Sequence, residues 1–373
     1  MARLKACSNL YGSGKMEAPA SIFLSVLVLA AVCLLLGVCG QVRAASGFYA
    51  HQFLEGHSDS FPVHSLIHGL DKHYRSGEFN FVVNRTETGL RRGETAWGVL
   101  YRYEAYADAS RAASELIWRV ETDQDIPAQR DWPLQLQVNQ VAMQGMVVSR
   151  RVDLADGLAL TAAFQLLHAT QMMDGIVQGH ITTYDDEYQG QLHLHYFYTR
   201  DALWDRPVDR RRGQGLALDV TLDWQIDTRQ TLRLVLLDAA NGIYWKDMYY
   251  TRSDLDSDRY SYDADGRLEV RAAMTGFEGN RSHWQRLPVK ALLDWQGQIG
   301  DQHQLGLEAI WIDKYRDLRL SYQPRVLGGL YMSGGLQGSL GLGFRADRWH
   351  IGMSVESLNW HESRAVGLRF SWQ

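Results

Sequence analysis

The chain has 373 residues, 46% of them hydrophobic and 22% charged, with a formal charge of −5. This excludes a disordered chain, which carries far fewer apolar residues, and three cysteines exclude a disulfide scaffold. A mildly acidic balance gives no nucleic-acid signature, so no nucleic-acid partner is expected.

Residues 1–44 read as a cleaved signal peptide. Arg3, Lys5 and Lys15 form a basic start, residues 20–40 an apolar run, and Val42-Arg43-Ala44 a cleavage site with small or apolar residues at −3 and −1. The alternative is an N-terminal anchor, because about 20 apolar residues can span a bilayer. Bulky Val38 before Cys39 argues against a lipoprotein signal. Cleavage after Ala44 removes four basic residues, one acidic residue and all three cysteines, which leaves a mature charge of −8 and no thiol.

Residues 45–77 are polar and rich in histidine and do not alternate well. They are expected to form a plug inside a barrel or a periplasmic tail. Ser60-Phe61-Pro62 suggests a short helix over 63–74, with Ser60 near the cap and Pro62 in the first turn. In such a helix His64 and His68 lie one turn apart and are candidate metal ligands. No cysteine or fixed carboxylate completes that set, and ordinary hydrogen bonding also accounts for His51, His57 and His73.

From residue 78 to residue 373 the dominant pattern has period two, as a pleated strand requires. Leu216, Leu218, Val220, Leu222, Trp224 and Ile226 alternate with Ala217, Asp219, Thr221, Asp223, Gln225 and Asp227. Trp349, Ile351, Met353 and Val355 alternate with His350, Gly352, Ser354 and Glu356. Several such runs reach about 9–11 residues, the length a tilted strand needs to cross a bilayer. No later stretch is long and apolar enough for a membrane helix. Further strand candidates lie near 79–83, 97–105, 116–120, 134–142, 146–154, 158–166, 176–184, 191–199, 230–238, 243–251, 266–275, 304–312 and 336–344, while 107–116 is weakly helical. Unpaired backbone groups are too costly in hydrocarbon, so such a sheet must close. The expectation is an all-β, antiparallel transmembrane β-barrel of 12–18 strands, with 14 or 16 favoured. A soluble sandwich also alternates and stands as the fold alternative.

The polar parity places Asp219, Asp223, Asp227, Lys290, Asp294, Glu308, Arg319, Glu356 and Arg369 toward the lumen. In a wide barrel these residues line an aqueous route, with the three aspartates near 219–227 favouring cations. In a narrow one they pair into a network that fills the lumen. Asp254, Asp256 and Asp258 form a carboxylate series that Ca²⁺ could use, although the pattern fails the EF-hand template and also fits a solvated hairpin tip. Arg206, Arg210, Arg211 and Arg212 form a loop cluster able to meet lipid phosphates, or simply solvent. His193 and His195 share a face, and a lipid hydrolase would need a nucleophile and a carboxylate beside them.

At the C-terminus, Gly367-Leu368-Arg369-Phe370-Ser371-Trp372 places a glycine, an aromatic residue three later and another two beyond it. Gly367, Phe370 and Trp372 in this arrangement resemble the C-terminal assembly signal of Gram-negative outer-membrane β-barrel proteins. Ala365 and the extra Gln373 depart from that pattern. The resemblance implies insertion by the barrel-assembly machinery and contact with outer-membrane lipid and lipopolysaccharide. The leading functional expectation is a passive channel or transporter for a small polar or amphipathic solute, working without a cofactor. A closed barrel with a structural, adhesive or accessory role, meeting a periplasmic or surface protein, is the alternative; a lipid hydrolase is the third.

Overall fold

The computed structural model describes residues 46–184, 188–201, 208–209, 211–257, 260–262, 268–270 and 274–372. Residues 1–44, expected to be a signal peptide, and Asp258, Arg206 and Arg210 lie outside the described residues.

The first strand is β1 (Ser46–Ser58), followed by helix α1 (Val63–His68), β2 (Phe79–Arg92), β3 (Thr95–Ala109) and helix α2 (Arg111–Glu121). Then come β4 (Arg130–Ala155), β5 (Leu158–Thr183), β6 (Tyr188–Tyr198), β7 (Gly213–Gln225) and β8 (Gln230–Asp256). A small separate hairpin, β9 (Tyr260–Tyr262) and β10 (Leu268–Val270), precedes β11 (Met274–Gln285), β12 (Lys290–Ile299), β13 (His303–Ile312) and β14 (Tyr315–Pro324). The wall ends with β15 (Leu330–Gly335), β16 (Leu340–Arg345), β17 (Trp349–Val355) and β18 (Ala365–Trp372).

Sixteen of these segments form one antiparallel sheet. β6 and β7 pair end to end between β5 and β8, and β11 and β12 do the same along the other edge of β8. Each of these pairs fills one place in the wall, so the barrel has fourteen strand positions. β1 closes it by pairing with both β2 and β18, from Ala50 opposite Trp372 to His57 opposite Ala365. The ring of pairings runs unbroken through β12 and β8, which is what hydrocarbon demands; β11, above β12, pairs with β8 alone.

Three expectations are corrected. Residues 46–58 are neither plug nor tail; they are the closing strand, and 59–78 connect it to β2 at one rim. α1 begins at Val63 after Pro62, with no side-chain cap from Ser60. Residues 116–120 belong to α2 rather than to a strand, because Ala113, Leu116 and Ile117 share one buried helical face and Ser110 Oγ accepts the Ala113 N–H at 3.2 Å.

The two rims differ. At the rim holding Ser46 and Trp372, the connections are short: 93–94, 156–157, 226–229, 300–302, 325–329 and 346–348. At the distal rim lie the connections 59–78 and 110–129, which contain the two helices, and the ordered loop 356–364. The wall is also uneven in height. β4 and β5 have 26 residues each and β8 has 27, whereas β15 to β18 have 6, 6, 7 and 8.

On the tall side the outward residues change character along one register row. Leu158, Leu160, Ala162, Phe164 and Leu166 of β5, and Leu216 to Trp224 of β7, are outward and apolar. Nine tilted residues cover about 23 Å of membrane normal. Arg150 interrupts the matching stretch of β4, opposite Thr95 at the very start of β3. Beyond it the row Tyr101, Gln144, His168, Gln214, Tyr244 and Trp284 crosses six neighbouring strands and replaces aliphatic side chains with polar and aromatic ones. Rings with polar tips suit a headgroup boundary. Further out, the same outward face carries Leu136, Val177, Ile181, Leu192, Leu194 and Tyr196, which are buried under α2 and its neighbours rather than exposed. Glu115 fixes α2 there by accepting from Arg119 at 2.9 Å and from Arg130 at 2.8 Å.

Candidate functional site: the barrel interior

Inward-facing charges form two buried groups, one on each side of the lumen. On the tall side Arg102 of β3 donates through Nη1 to Asp238 Oδ1 at 2.9 Å and to Gln165 Oε1 at 3.0 Å, and through Nε to Glu104 Oε1 at 3.1 Å. Lys290 of β12 reaches Glu104 Oε2 at 2.6 Å and also bonds Asp238. Arg85 of β2 donates to Asp219 Oδ2 of β7 at 2.5 Å and to Glu87 at 2.9 Å. Gln165 joins the two halves by donating to Asp219 at 2.6 Å. Asp238 sits at a bulge in β8 with a positive φ of 57°, which turns its carboxylate into this group. Asp238 and Lys290 are 0% exposed, and Arg102 and Glu104 1%.

The second group lies by the short strands. Glu55 of β1 accepts from Arg319 of β14 at 2.5 Å and from Arg369 of β18 at 2.8 Å. Arg319 also donates to Asp317 at 2.7 Å, and Glu308 lies 3.7 Å from both guanidinium groups. Gly367 makes room for this pairing, since a Cβ there would stand 2.5 Å from Ser354 Oγ and 3.1 Å from the Glu55 carboxylate. Both groups tie strands that are far apart in the wall, so the lumen is crossed by ion pairs at mid-height. Breaking a buried pair costs far more than forming it gains, because the partner keeps an uncompensated charge.

On the distal side of these charges the inward face turns apolar and aromatic. Phe81, Tyr106, Met143, Met172, Phe197, Trp245, Met248, Tyr250, Ile312 and Tyr315 belong to one buried cluster. Toward the terminal rim, Arg151, Asp153, Asp223, Arg233 and Asp294 line a polar recess of about 590 Å³.

The chain is an outer-membrane β-barrel. Its wall is closed, its outward face is apolar over a membrane-spanning band and its charges pair inside, as a bilayer-spanning barrel requires. No family model matches the sequence, and no curated protein matches it. Among solved structures, the chain is similar to the Ralstonia pickettii toluene transporter TbuX, with 10% identity and a TM-score of 0.42 over 88% of this chain and 89% of that one. A Pseudomonas aeruginosa FadL homologue matches with 12% identity and a TM-score of 0.38 over 87% and 88%. The CymD monoaromatic hydrocarbon channel matches with 8% identity and a TM-score of 0.34 over 87% and 86%.

The structure places Asp219, Asp223, Lys290, Asp294, Glu308, Arg319 and Arg369 on the inner face. It places two expected lumen residues elsewhere. Asp227 lies in the β7–β8 turn, where it accepts from the Arg229 N–H at 2.7 Å. Glu356 follows β17 and accepts from the Arg364 N–H at 2.8 Å, closing the 356–364 loop. The strand parity simply runs on into turns at these two points. Phe370 and Trp372 face outward, with Trp372 stacked on Trp349 at 5.5 Å. Asp254 holds His193 Nδ1 at 2.6 Å, and Asp256 accepts from Gln191 at 3.1 Å, so these carboxylates serve side chains of β6. His195 packs edge-on to Tyr250 at 5.1 Å. Sequence reasoning missed Glu55, Arg85, Arg102, Glu104, Asp238 and Asp317, although Arg102 and Glu104 do alternate with Tyr101 and Tyr103.

Proposed function

We propose that this barrel is a gated transporter for small amphipathic solutes, entering from the distal rim and leaving toward the periplasmic, terminal rim. The short turns and both strand ends at the terminal rim support that orientation. The observation that carries the reading is the order of surfaces along the lumen: an aromatic and methionine-rich distal half, then a layer of paired charges, then a polar recess. An apolar half favours the apolar part of a solute, and methionine adapts to varied shapes. The charged layer offers polar partners for its head, at the expense of ion pairs that must part during passage. A standing aqueous pore is not what these buried pairs favour.

The test is flux into vesicles carrying the refolded barrel, with planar-bilayer conductance measured in parallel. A labelled small aromatic carboxylate is expected to exchange well above protein-free vesicles, a neutral sugar of similar size to lag, and steady conductance to stay low. If both solutes exchange at the protein-free rate, transport is wrong and the closed structural barrel takes its place.

A further inference from the structure

Above the short strands, three imidazoles meet from two separate elements. His64 and His68 stack on α1 with ring centroids 4.3 Å apart. His361, from the loop 356–364, meets His64 edge-on at 4.3 Å, and Trp360 borders the group at 6.4 Å. The meeting is built in. Val63 N–H donates to the Ser363 carbonyl at 2.8 Å, which clamps the helix start to the loop. Asn359 holds the loop's own turn, accepting from His361 N–H at 3.2 Å and donating to Glu362 at 2.9 Å.

We infer that His64, His68 and His361 form a binding site for a borderline divalent transition-metal cation such as Zn²⁺ or Cu²⁺. Imidazole nitrogen is a preferred ligand for both ions. Histidines four apart on one helical turn project from the same face, the spacing that chelates a single ion. The tautomer of His68 is already set: its Nδ1 lies 3.1 Å from the His64 carbonyl, which can only accept, so Nδ1 carries the hydrogen. In the neutral ring that leaves the Nε2 lone pair for a metal, with the carbonyl as the orienting outer partner. Among the described residues no group of three or more His, Cys, Asp or Glu side chains is arranged to hold a metal ion as it stands, so these rings must rearrange to bind one. Two imidazoles bound at 2.0–2.1 Å in a tetrahedral shell have centroids about 5 Å apart and ring planes that converge on the ion, so the stacked His64 and His68 rings must part by roughly 1 Å and rotate out of their parallel stack to bind it. Water completes the shell. The bound ion ties the β17–β18 loop to α1 at the distal rim, where β18 and β1 are neighbours.

The test is calorimetric titration of the full refolded chain with Zn²⁺ in micelles, and electron paramagnetic resonance with Cu²⁺. One saturable site is expected, with hyperfine coupling to three imidazole nitrogens. Replacing an outer partner of a metal histidine already costs 10–100-fold, so His64→Ala, His68→Ala and His361→Ala are each expected to weaken binding roughly tenfold or more. His193→Ala, far away in β6, is expected to leave binding unchanged. No saturable Zn²⁺ binding, two nitrogens or fewer on Cu²⁺, or a His361→Ala protein that binds like the parent overturns the assignment. Heat-modifiable gel migration checks that each variant is folded, and the nitrogen count on the parent needs no variant at all.

Discussion

The tall wall of β4, β5 and β8 and the short wall of β15 to β18 solve the same problem with different amounts of backbone. The tall strands carry an apolar stretch, then a polar row, then a second apolar stretch that α2 covers. Lipid and protein therefore take turns covering one face of one strand. Strands of six to eight residues cover only about 15–20 Å when tilted. There the wall stops early, and α1 and the loop 356–364 stand on top of it. A barrel need not have one height, provided that separate elements supply what the strands omit.

The contrast can be broken at the charges first. Arg102 is fully enclosed on the tall side, whereas Glu308 on the other side is 28% exposed. Arg102→Ala leaves Asp238 and Glu104 short of a partner, and a loss of about 3–5 kcal/mol is expected in denaturant unfolding from micelles. Glu308→Gln, with water at hand, is expected to cost under about 1 kcal/mol. Equal losses would mean that Arg102 and Glu308 are not differently buried.

The second comparison concerns depth. Phe164→Arg, in the middle of the apolar stretch of β5, is expected to cost about 2–4 kcal/mol of stability in vesicles. Leu154→Arg, beside the β4–β5 turn, is expected to cost about 0–1 kcal/mol. A cost independent of position would show that lipid does not cover this face where the side chains say it does.

The smallest effect concerns the cover itself. Burial raises the Glu115 carboxyl, but hydrogen bonds from Arg130 and Arg119 outweigh it and hold the group below the usual carboxylate range. A depressed folded value stabilises above the unfolded value near 4.5 and is lost as the pH falls below it. The amide protection factors of α2 are therefore expected to fall below about pH 4.5, while those of the β5 and β7 amides hold. Glu115→Gln is expected to remove that acid step at a cost of about 1 kcal/mol. Simultaneous loss of α2 and the strands would join what the comparison separates.

Much of the wall was legible because lipid outside and charge inside give a sharp period of two, as in β7, β12 and β18. β1 was not. Its outward face carries Gln52 beside Leu54, and its inward face carries Phe53 beside Glu55, so the contrast between faces disappears. Asp238 was read as part of a strand, but its role comes from the extra residue that breaks parity in β8. His64 and His68 were visible as a pair because one helical turn joins them. His361 was not, since only the closed barrel brings it near.

The pairing of β1 with β18 has a bearing on how the chain is made. Glu55 and Arg369 stand 314 positions apart in sequence, yet they share an ion pair across the seam. Until the last strand has been synthesised, the first has an open flank, and such a flank invites pairing with the wrong neighbour. Long-range closure of this kind is slow. The eight-residue β18 is thus the latch whose pairing with β1 lets the ring form.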